Sequence, residues 1–443
     1  MLSSPSPSMA PSVAILLSLS FSAMVNAHSL HSTHLSHPRG LDRTTEAQEA
    51  TITDATTECS PYTYEPVAQA TKLFPENWAI ATIIDAEAQA AYNAILPKIP
   101  TNIAPKGTPD NSEDGVNYPD SDPDCWWTWS MCTTPKLKGL PADIVNVPEP
   151  NTLGYGFDDG PDCAHNVFYN YLTSVNQKAT MFYIGSNVQV YPLEAQRAVT
   201  DGHEICVHTW SHQYSTGLQS EQMFAELWYT RKMIKLATGV TPTCWRPPYG
   251  DVDDRVRAIA TALNLTTIVW TWDSNDWSFG SDASVTTQQI DANYNNLISA
   301  AKAGNFSTQG TIILTHELTN FTMSEAIKYH PLLAAEFTMV PVGVAYNVTQ
   351  PYIETNYTLP SFAEYVSGDT VTNGSTSTSS SATGTPTASS GTSETATHSS
   401  TTASSSSTGT GEFAKSSAMT HVPAAGAFVA VLSAVGGALC AMA

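Results

Sequence analysis

Residues 153–161 read Leu-Gly-Tyr-Gly-Phe-Asp-Asp-Gly-Pro, and the fold is worked out from this stretch. The short apolar run 153–157 predicts a strand, and Gly160 and Pro161 break it. Residues 164–175, apolar at helical spacing, predict a helix. Asp158 and Asp159 therefore fall where a strand gives way to a turn. The same alternation repeats downstream. Strands are predicted over 179–184, 205–208, 268–272, 311–315 and 338–342, and helices over 192–201, 220–237, 252–263 and 288–303. In the helix 220–237, Ser220 is the expected cap, Gly239 the stop, and Met223, Phe224, Leu227, Trp228 and Ile234 the core face. Strands alternating with helices indicate an α/β fold, built on a parallel sheet or a barrel.

Upstream, residues 61–150 are rich in Pro and Asp and hold one helical stretch, 84–95. The cluster Cys125-Trp126-Trp127-Thr128-Trp129 is either a sugar-stacking platform or a cap on the core. Residues 28–60 are polar, with no sustained period, and read as disordered or as a pro-segment.

Residues 1–27 carry no charged side chain, and an apolar run ends at the small-residue site Val25-Asn26-Ala27, the pattern of a secretory signal peptide. In 375–410, 26 of 36 residues are Ser or Thr; such a tract cannot bury enough apolar area to fold and reads as a glycosylated stalk. A polar spacer to 421 and an apolar tail, 422–443, complete a GPI-anchor signal, with Ser416 the favoured attachment residue. The expected segments are thus 1–27 (signal), 28–150 (N-terminal extension), 151–345 (α/β module), 346–374 (C-terminal wrap), 375–421 (stalk and spacer) and 422–443 (removed tail).

The 443 residues include 18 Lys+Arg against 40 Asp+Glu, a formal charge of −22. No basic patch is present to neutralise phosphates, which argues against nucleic acid and against an anionic membrane surface. With only 13% charged residues, the surface relies on Ser, Thr and Asn, as in secreted proteins. Setting aside Cys440 in the tail, six cysteines remain and allow up to three disulfides; Cys125–Cys132 is the expected local pair and the others stay open. N-glycosylation sequons begin at Asn264, Asn305, Asn320, Asn347, Asn356 and Asn373.

Five polar clusters fall at or near the ends of predicted strands or in the turns between elements, where parallel α/β folds collect reactive groups. They are Gly156-Phe157-Asp158-Asp159-Gly160-Pro161, His208-Thr209-Trp210-Ser211-His212, Arg246-Pro247-Pro248-Tyr249-Gly250, Asp273-Ser274-Asn275-Asp276-Trp277 and Leu314-Thr315-His316-Glu317. Each alone reads more simply as a polar turn, a helix cap or a structural His. In combination, two histidines and one carboxylate make a ligand set for a divalent metal with an open position for water, provided the 208–212 segment is helical or tightly turned. A second carboxylate can serve as a base, a Pro-stiffened backbone as an oxyanion donor, and a late His as a proton donor.

In this order the five clusters resemble the motif set of the polysaccharide deacetylases (carbohydrate esterase family 4, the NodB-homology domain), fungal chitin deacetylases in particular. The resemblance covers residues 151–345 and implies a distorted (β/α) barrel. It implies Asp158 as catalytic base and His316 as catalytic acid. It gives Asp159, His208 and His212 as ligands of one divalent metal, zinc or cobalt, and has Tyr249 with Asp158 contact acetate. Arg246 would steer Asp158, Asp276 would orient His316, and Trp277 and Leu314 would line the acetyl pocket. Gly156, where the family usually has Thr, is a departure expected to matter little. The implied substrate is chitin or its oligomers, acted on by a monomer outside the cell that meets the membrane only through its lipid anchor. The rivals are another acetylated glycan, or a chitin-binding wall protein without activity.

Overall fold

The computed structural model describes residues 43–368. The signal peptide, the stalk, the tail, Asn373 and Ser416 lie outside the described residues. Among the described residues nine strands carry the fold: β1 (Thr152–Gly154), β2 (Gly156–Gly160), β3 (Thr180–Tyr183), β4 (Glu204–Val207), β5 (Cys244–Trp245), β6 (Thr266–Thr267), β7 (Trp272–Asp273), β8 (Thr311–Leu314) and β9 (Thr338–Val340). All strand pairs are parallel, in two sheets of order β2-β3-β4-β5-β6 and β7-β8-β1-β9. Strands β2, β3 and β4 are buried along their whole length, as expected of a parallel sheet covered by helices.

The sheets join in two ways. At one seam the Asp158 N–H donates to Thr315 O (2.9 Å) and the Glu317 N–H to Asp158 O (2.8 Å), which sets Asp158 beside His316. At the other, the chain crosses between sheets: Ile268 N–H bonds Trp245 O (3.0 Å), Val269 N–H bonds Ile144 O (2.9 Å) and Thr271 N–H bonds Ile312 O (3.3 Å). The strands therefore make a ring that closes partly by covalent continuation, a distorted form of barrel closure.

Two predicted strands are corrected by this arrangement. The run 153–157 is not one strand. β1 and β2 belong to different sheets, and Tyr155 between them bonds one sheet through its N–H (to Val340 O, 2.9 Å) and the other through its C=O (from Thr180 N, 2.9 Å). Likewise 268–272 is a crossover flanked by β6 and β7. Gly156 matters more than expected, because a Cβ there would lie 2.7 Å from Thr180 O and 3.2 Å from the Phe182 ring. β5 and the helices Gly185–Val190 and Asn320–Ala334 were not anticipated; the last carries Pro331, which interrupts its pattern.

The long helix is Ser220–Thr238, capped by Gln219 rather than Ser220 and ended by Gly239 at φ 83°. Met223, Phe224, Leu227 and Ile234 are buried as predicted, while Trp228 is only partly covered.

Residues 43–60 are ordered where irregular chain was expected. Helices Glu46–Glu49 and Ala55–Glu58 pack on the body. Their order comes from single buried contacts rather than from a repeating pattern. Asn166 donates to Glu49 O (2.9 Å) and Ile52 O (2.8 Å), and its N–H bonds Glu58 Oε1 (2.7 Å). The Cys59–Cys163 disulfide closes the same contact across 104 residues. Cys125–Cys132 forms as expected, and Cys206–Cys244 ties β4 to β5. Residues 346–368 wrap the body: Ile353 N–H bonds Thr241 O (3.0 Å), and the buried Tyr352 hydroxyl accepts from the Ile205 N–H (3.0 Å).

Candidate functional site

The five polar clusters converge because their strands are parallel. Asp158 and Asp159 lie at the end of β2, His208 follows β4, Arg246 follows β5, Asp276 comes shortly after β7 and His316 shortly after β8. All therefore emerge at the carboxyl end of the ring.

Asp159 Oδ1 lies 3.3 Å from His208 Nε2 and 3.1 Å from His212 Nε2. The 208–212 segment is a tight turn, not a helix, with Thr209 at φ 61° and His212 at φ 56°. Those left-handed positions bring two rings four residues apart onto one carboxylate. His208 Nδ1 lies 2.8 Å from Arg246 O, a carbonyl that can only accept. That bond fixes the tautomer and leaves the Nε2 lone pair facing Asp159. Asp159 Oδ1 is shielded from solvent and has no hydrogen-bond donor. Burial alone would raise its pKa, but the neighbouring histidines, His212 foremost with His208 and His316, together outweigh that and hold the carboxyl well below the usual range. An ionised oxygen with no donor, facing two imidazole nitrogens, fits a divalent cation. A second group, Glu204 with Cys206 and Cys244, is no ligand set, because both sulfurs are in the disulfide.

Asp158 sits beside this set. Its Oδ1 accepts from Arg246 Nη1 (2.7 Å), and its Oδ2 lies 3.8 Å from His208 Nε2. The Arg246 guanidinium is fully buried, 3.9 Å over the Phe182 ring and 5.6 Å from that of Trp270. It therefore has little freedom and points Asp158 in one direction. Tyr249, at φ 59°, is partly exposed; its ring meets His212 edge-on (4.7 Å) and stacks on Tyr214 (4.0 Å). Gly250 next to it must be glycine, since φ is 70° and a Cβ would lie 2.5 Å from the Trp127 ring.

On the other side His316 Nδ1 is 2.6 Å from Asp276 Oδ1, and the His316 N–H donates to Asp276 Oδ2 (3.1 Å). Burial would lower the His316 pKa, but Asp276, with Asp159 and Asp158 behind it, pushes it up to about 10. The imidazole is thus cationic at neutral pH. Trp277 is exposed beside Asp276, whereas Leu314 is almost fully buried.

Three groups to which sequence reasoning gave no role hold these parts, the buried Glu226 and Glu317 and the partly buried Asn187. Glu226, on the long helix, accepts from the Trp210 N–H (2.7 Å), the Ser211 N–H (2.8 Å), the Ser211 hydroxyl (2.7 Å) and the Ala81 N–H (2.7 Å). It fastens the turn between the two histidines. Its signal was visible as a lone carboxylate among Met223, Phe224 and Leu227. Glu317 backs the carboxylate pair: it accepts from Tyr169 (2.9 Å) and the Asp162 N–H (3.1 Å) and meets His165 Nδ1 at 2.7 Å. Burial pushes Glu317 up to about 8 and His165 down to about 3, so both are neutral near pH 7. Asn187 Nδ2 holds Asp159 O at 2.7 Å. Of the Trp cluster, Trp126 is fully buried, Trp127 packs against the core and Trp129 remains 39% exposed.

The chain is similar in sequence to known proteins. A polysaccharide deacetylase family profile matches residues 146–268. That span holds Asp158, Asp159, His208, His212, Arg246 and Tyr249, while Asp276 and His316 lie beyond it. The chain is 53% identical over 342 residues to chitin deacetylase 2 of Cryptococcus neoformans var. grubii, covering 76% of this chain and 74% of that one. It is 42% identical over 328 residues to the chitin deacetylase of Amylomyces rouxii, covering 72% and 77%. Among solved structures, a peptidoglycan deacetylase from Bacillus subtilis matches 45% of this chain and 92% of that one, at 27% identity and a TM-score of 0.39.

Proposed function

The chain belongs to the polysaccharide deacetylase family, and we propose on that premise that it hydrolyses N-acetyl groups of the N-acetylglucosamine units in chitin, leaving chitosan and acetate. The observation that carries this reading is the placement of Asp158 beside the Asp159–His208–His212 set, with the Asp276–His316 pair across the same seam.

Asp159, His208 and His212 would hold one divalent ion, zinc or cobalt, which supplies Lewis acidity toward the amide carbonyl and the attacking water. Asp158, steered by Arg246, removes a proton from that water. The Tyr249 N–H donates to the oxygen that becomes negative as the tetrahedral centre forms. His316, cationic and held by Asp276, protonates the departing amine. The acetyl group leaves as acetate, which Tyr249 and Asp158 would contact and Trp277 and Leu314 would flank, the roles that the family resemblance gives them. No covalent enzyme intermediate is required.

The test is acetate release from chitin oligomers by metal-loaded protein. Activity is expected to vanish with chelator and return with zinc or cobalt. Folded, metal-loaded protein that releases acetate from acetylated xylan but not from chitin would move the substrate to another glycan.

The reading extends to location. Three disulfides and the exposure of Asn264, Asn305, Asn320, Asn347 and Asn356 suit an oxidising, glycosylating route out of the cell. Among the described residues no helix is long and apolar enough to cross a membrane. A secreted monomer held at the fungal surface by a GPI anchor at Ser416 accounts for the apolar segment 422–443. Release from intact cells by a phosphatidylinositol-specific phospholipase is the expected result; retention after treatment would remove the anchor.

A further inference from the structure

A cavity of about 620 Å³ opens where three parts of the chain meet. Glu46 and Tyr64 line it from the segment before β1, Lys235 and Gly239 from the end of the long helix, and Asn356 and Tyr357 from the C-terminal wrap. No residue of the five polar clusters lines it, and the chemistry above does not use it. Its size falls within the ~300–1,000 Å³ of small-molecule sites.

One of the lining residues brings its own chemistry. Asn356-Tyr357-Thr358 is a glycosylation sequon. The Asn356 side chain is exposed and makes no hydrogen bond among the described residues, so its amide nitrogen is free to carry a sugar. Asn264, Asn305, Asn320 and Asn347 are exposed as well, but none of them lines this cavity. A glycan on Asn356 therefore starts at the opening.

The walls are held in place. Lys235 Nζ donates to Gly239 O (2.7 Å) and lies 2.8 Å from Glu354 Oε1. Glu354 accepts in turn from the Thr241 N–H (2.6 Å) and hydroxyl (2.8 Å). Tyr357 meets Tyr352 edge-on (6.1 Å), and its hydroxyl lies 3.9 Å from where a Cβ on Gly239 would stand. Tyr64 and Tyr357 both pack against the core and stay partly exposed. Phenol rings suit the apolar face of a pyranose, and the charged groups suit its hydroxyls. A free sugar would lose its translational freedom on entering such an opening, whereas a sugar joined to Asn356 has already lost it.

We propose that this cavity seats the first two N-acetylglucosamine rings of a glycan on Asn356, and that the seated sugars bridge the segment before β1 to the end of the long helix. In the transfer, the Asn356 amide nitrogen bonds the anomeric carbon of a lipid-pyrophosphate-linked oligosaccharide; the lipid pyrophosphate leaves and the amide gives up one proton. The proposal rests on the secretory reading, not on the deacetylase chemistry.

The full chain, secreted from a fungal host, tests it. An endoglycosidase that cuts between the first two sugars of high-mannose glycans is applied to native and to unfolded protein, and peptide mass spectrometry follows each sequon. On native protein the cut at Asn356 should be at least about tenfold slower than at Asn264 or Asn305, as for sugars seated roughly nine-tenths of the time. After unfolding the rates should be equal. Tyr64→Ala and Tyr357→Ala keep the sequon and should each bring the native rate at Asn356 toward that at Asn264; with two variants, a failure of one to fold leaves the other to decide. Asn356→Gln should lower Tm by about 2 °C or more, and Asn264→Gln should leave it in place. An unmodified Asn356 beside modified sequons, a native cut there as fast as at Asn264, or protection that survives the tyrosine variants would overturn the seat. A Tm unchanged by Asn356→Gln would overturn the bridge. Absence of glycan from every sequon would reject the secretory route and the seat together.

Discussion

Replacing Asp158 by Asn should lower acetate release from chitin oligomers about a thousandfold, while metal affinity stays near that of the parent protein. The substitution is nearly isosteric. An Asn Oδ1 can still accept from Arg246 Nη1, now 2.7 Å from Asp158, so the side chain should keep its place. What is lost is the basic oxygen. The metal set should be spared, because Asp159 Oδ1 is the oxygen within 3.3 Å of both imidazoles, while Asp158 Oδ2 stands 3.8 Å from His208 Nε2. A variant that keeps metal and loses turnover fits a base. A variant that loses metal and activity together would make Asp158 a ligand and leave the base unassigned.

Asp276→Asn should move the pH profile as well as the rate. In the parent, Asp276 and the two site aspartates outweigh burial and push His316 up to about 10. The protonated, proton-donating form is therefore present across the neutral range and is lost only as pH rises through that value. Without the Asp276 charge, burial dominates and the pKa falls, so the ring sheds its proton at lower pH. The basic limb of kcat should shift down by at least a unit, so that activity falls more at alkaline pH than at about pH 6. The stability linkage has the same sign. The pair stabilises the fold fully below about pH 6.5, and the contribution fades as pH rises toward 10. Urea unfolding should therefore separate variant from parent at pH 6 and bring them together at high pH. A profile that scales down without shifting would remove His316 as the acid.

The sequence revealed the site more fully than the fold around it, and the reason is physical. A polar cluster after an apolar run is a local signal, so Asp158, His208, Arg246 and His316 could each be placed near a strand end before any packing was known. Which strand pairs with which is not local. Tyr155 changes sheets because Val340 and Thr180 lie on either side of it, and neither is near it in sequence. The same holds for residues 43–60, where order rests on Asn166 and Cys163, more than 100 positions away. Glu226 was legible in kind but not in purpose: a carboxylate amid apolar neighbours needs donors, and only the fold shows that they come from the turn between two histidines.

The Cys59–Cys163 bond has a consequence for how the protein withstands proteases. Any single cut between the two sulfurs leaves one cysteine on each fragment, so the segment 43–60 and the strands from β2 onward remain one covalent unit. A nick in the exposed stretches of 101–140 would go unnoticed on a gel run without reductant and would separate the pieces only once thiol is added. That clasp makes backbone integrity and working integrity two different properties.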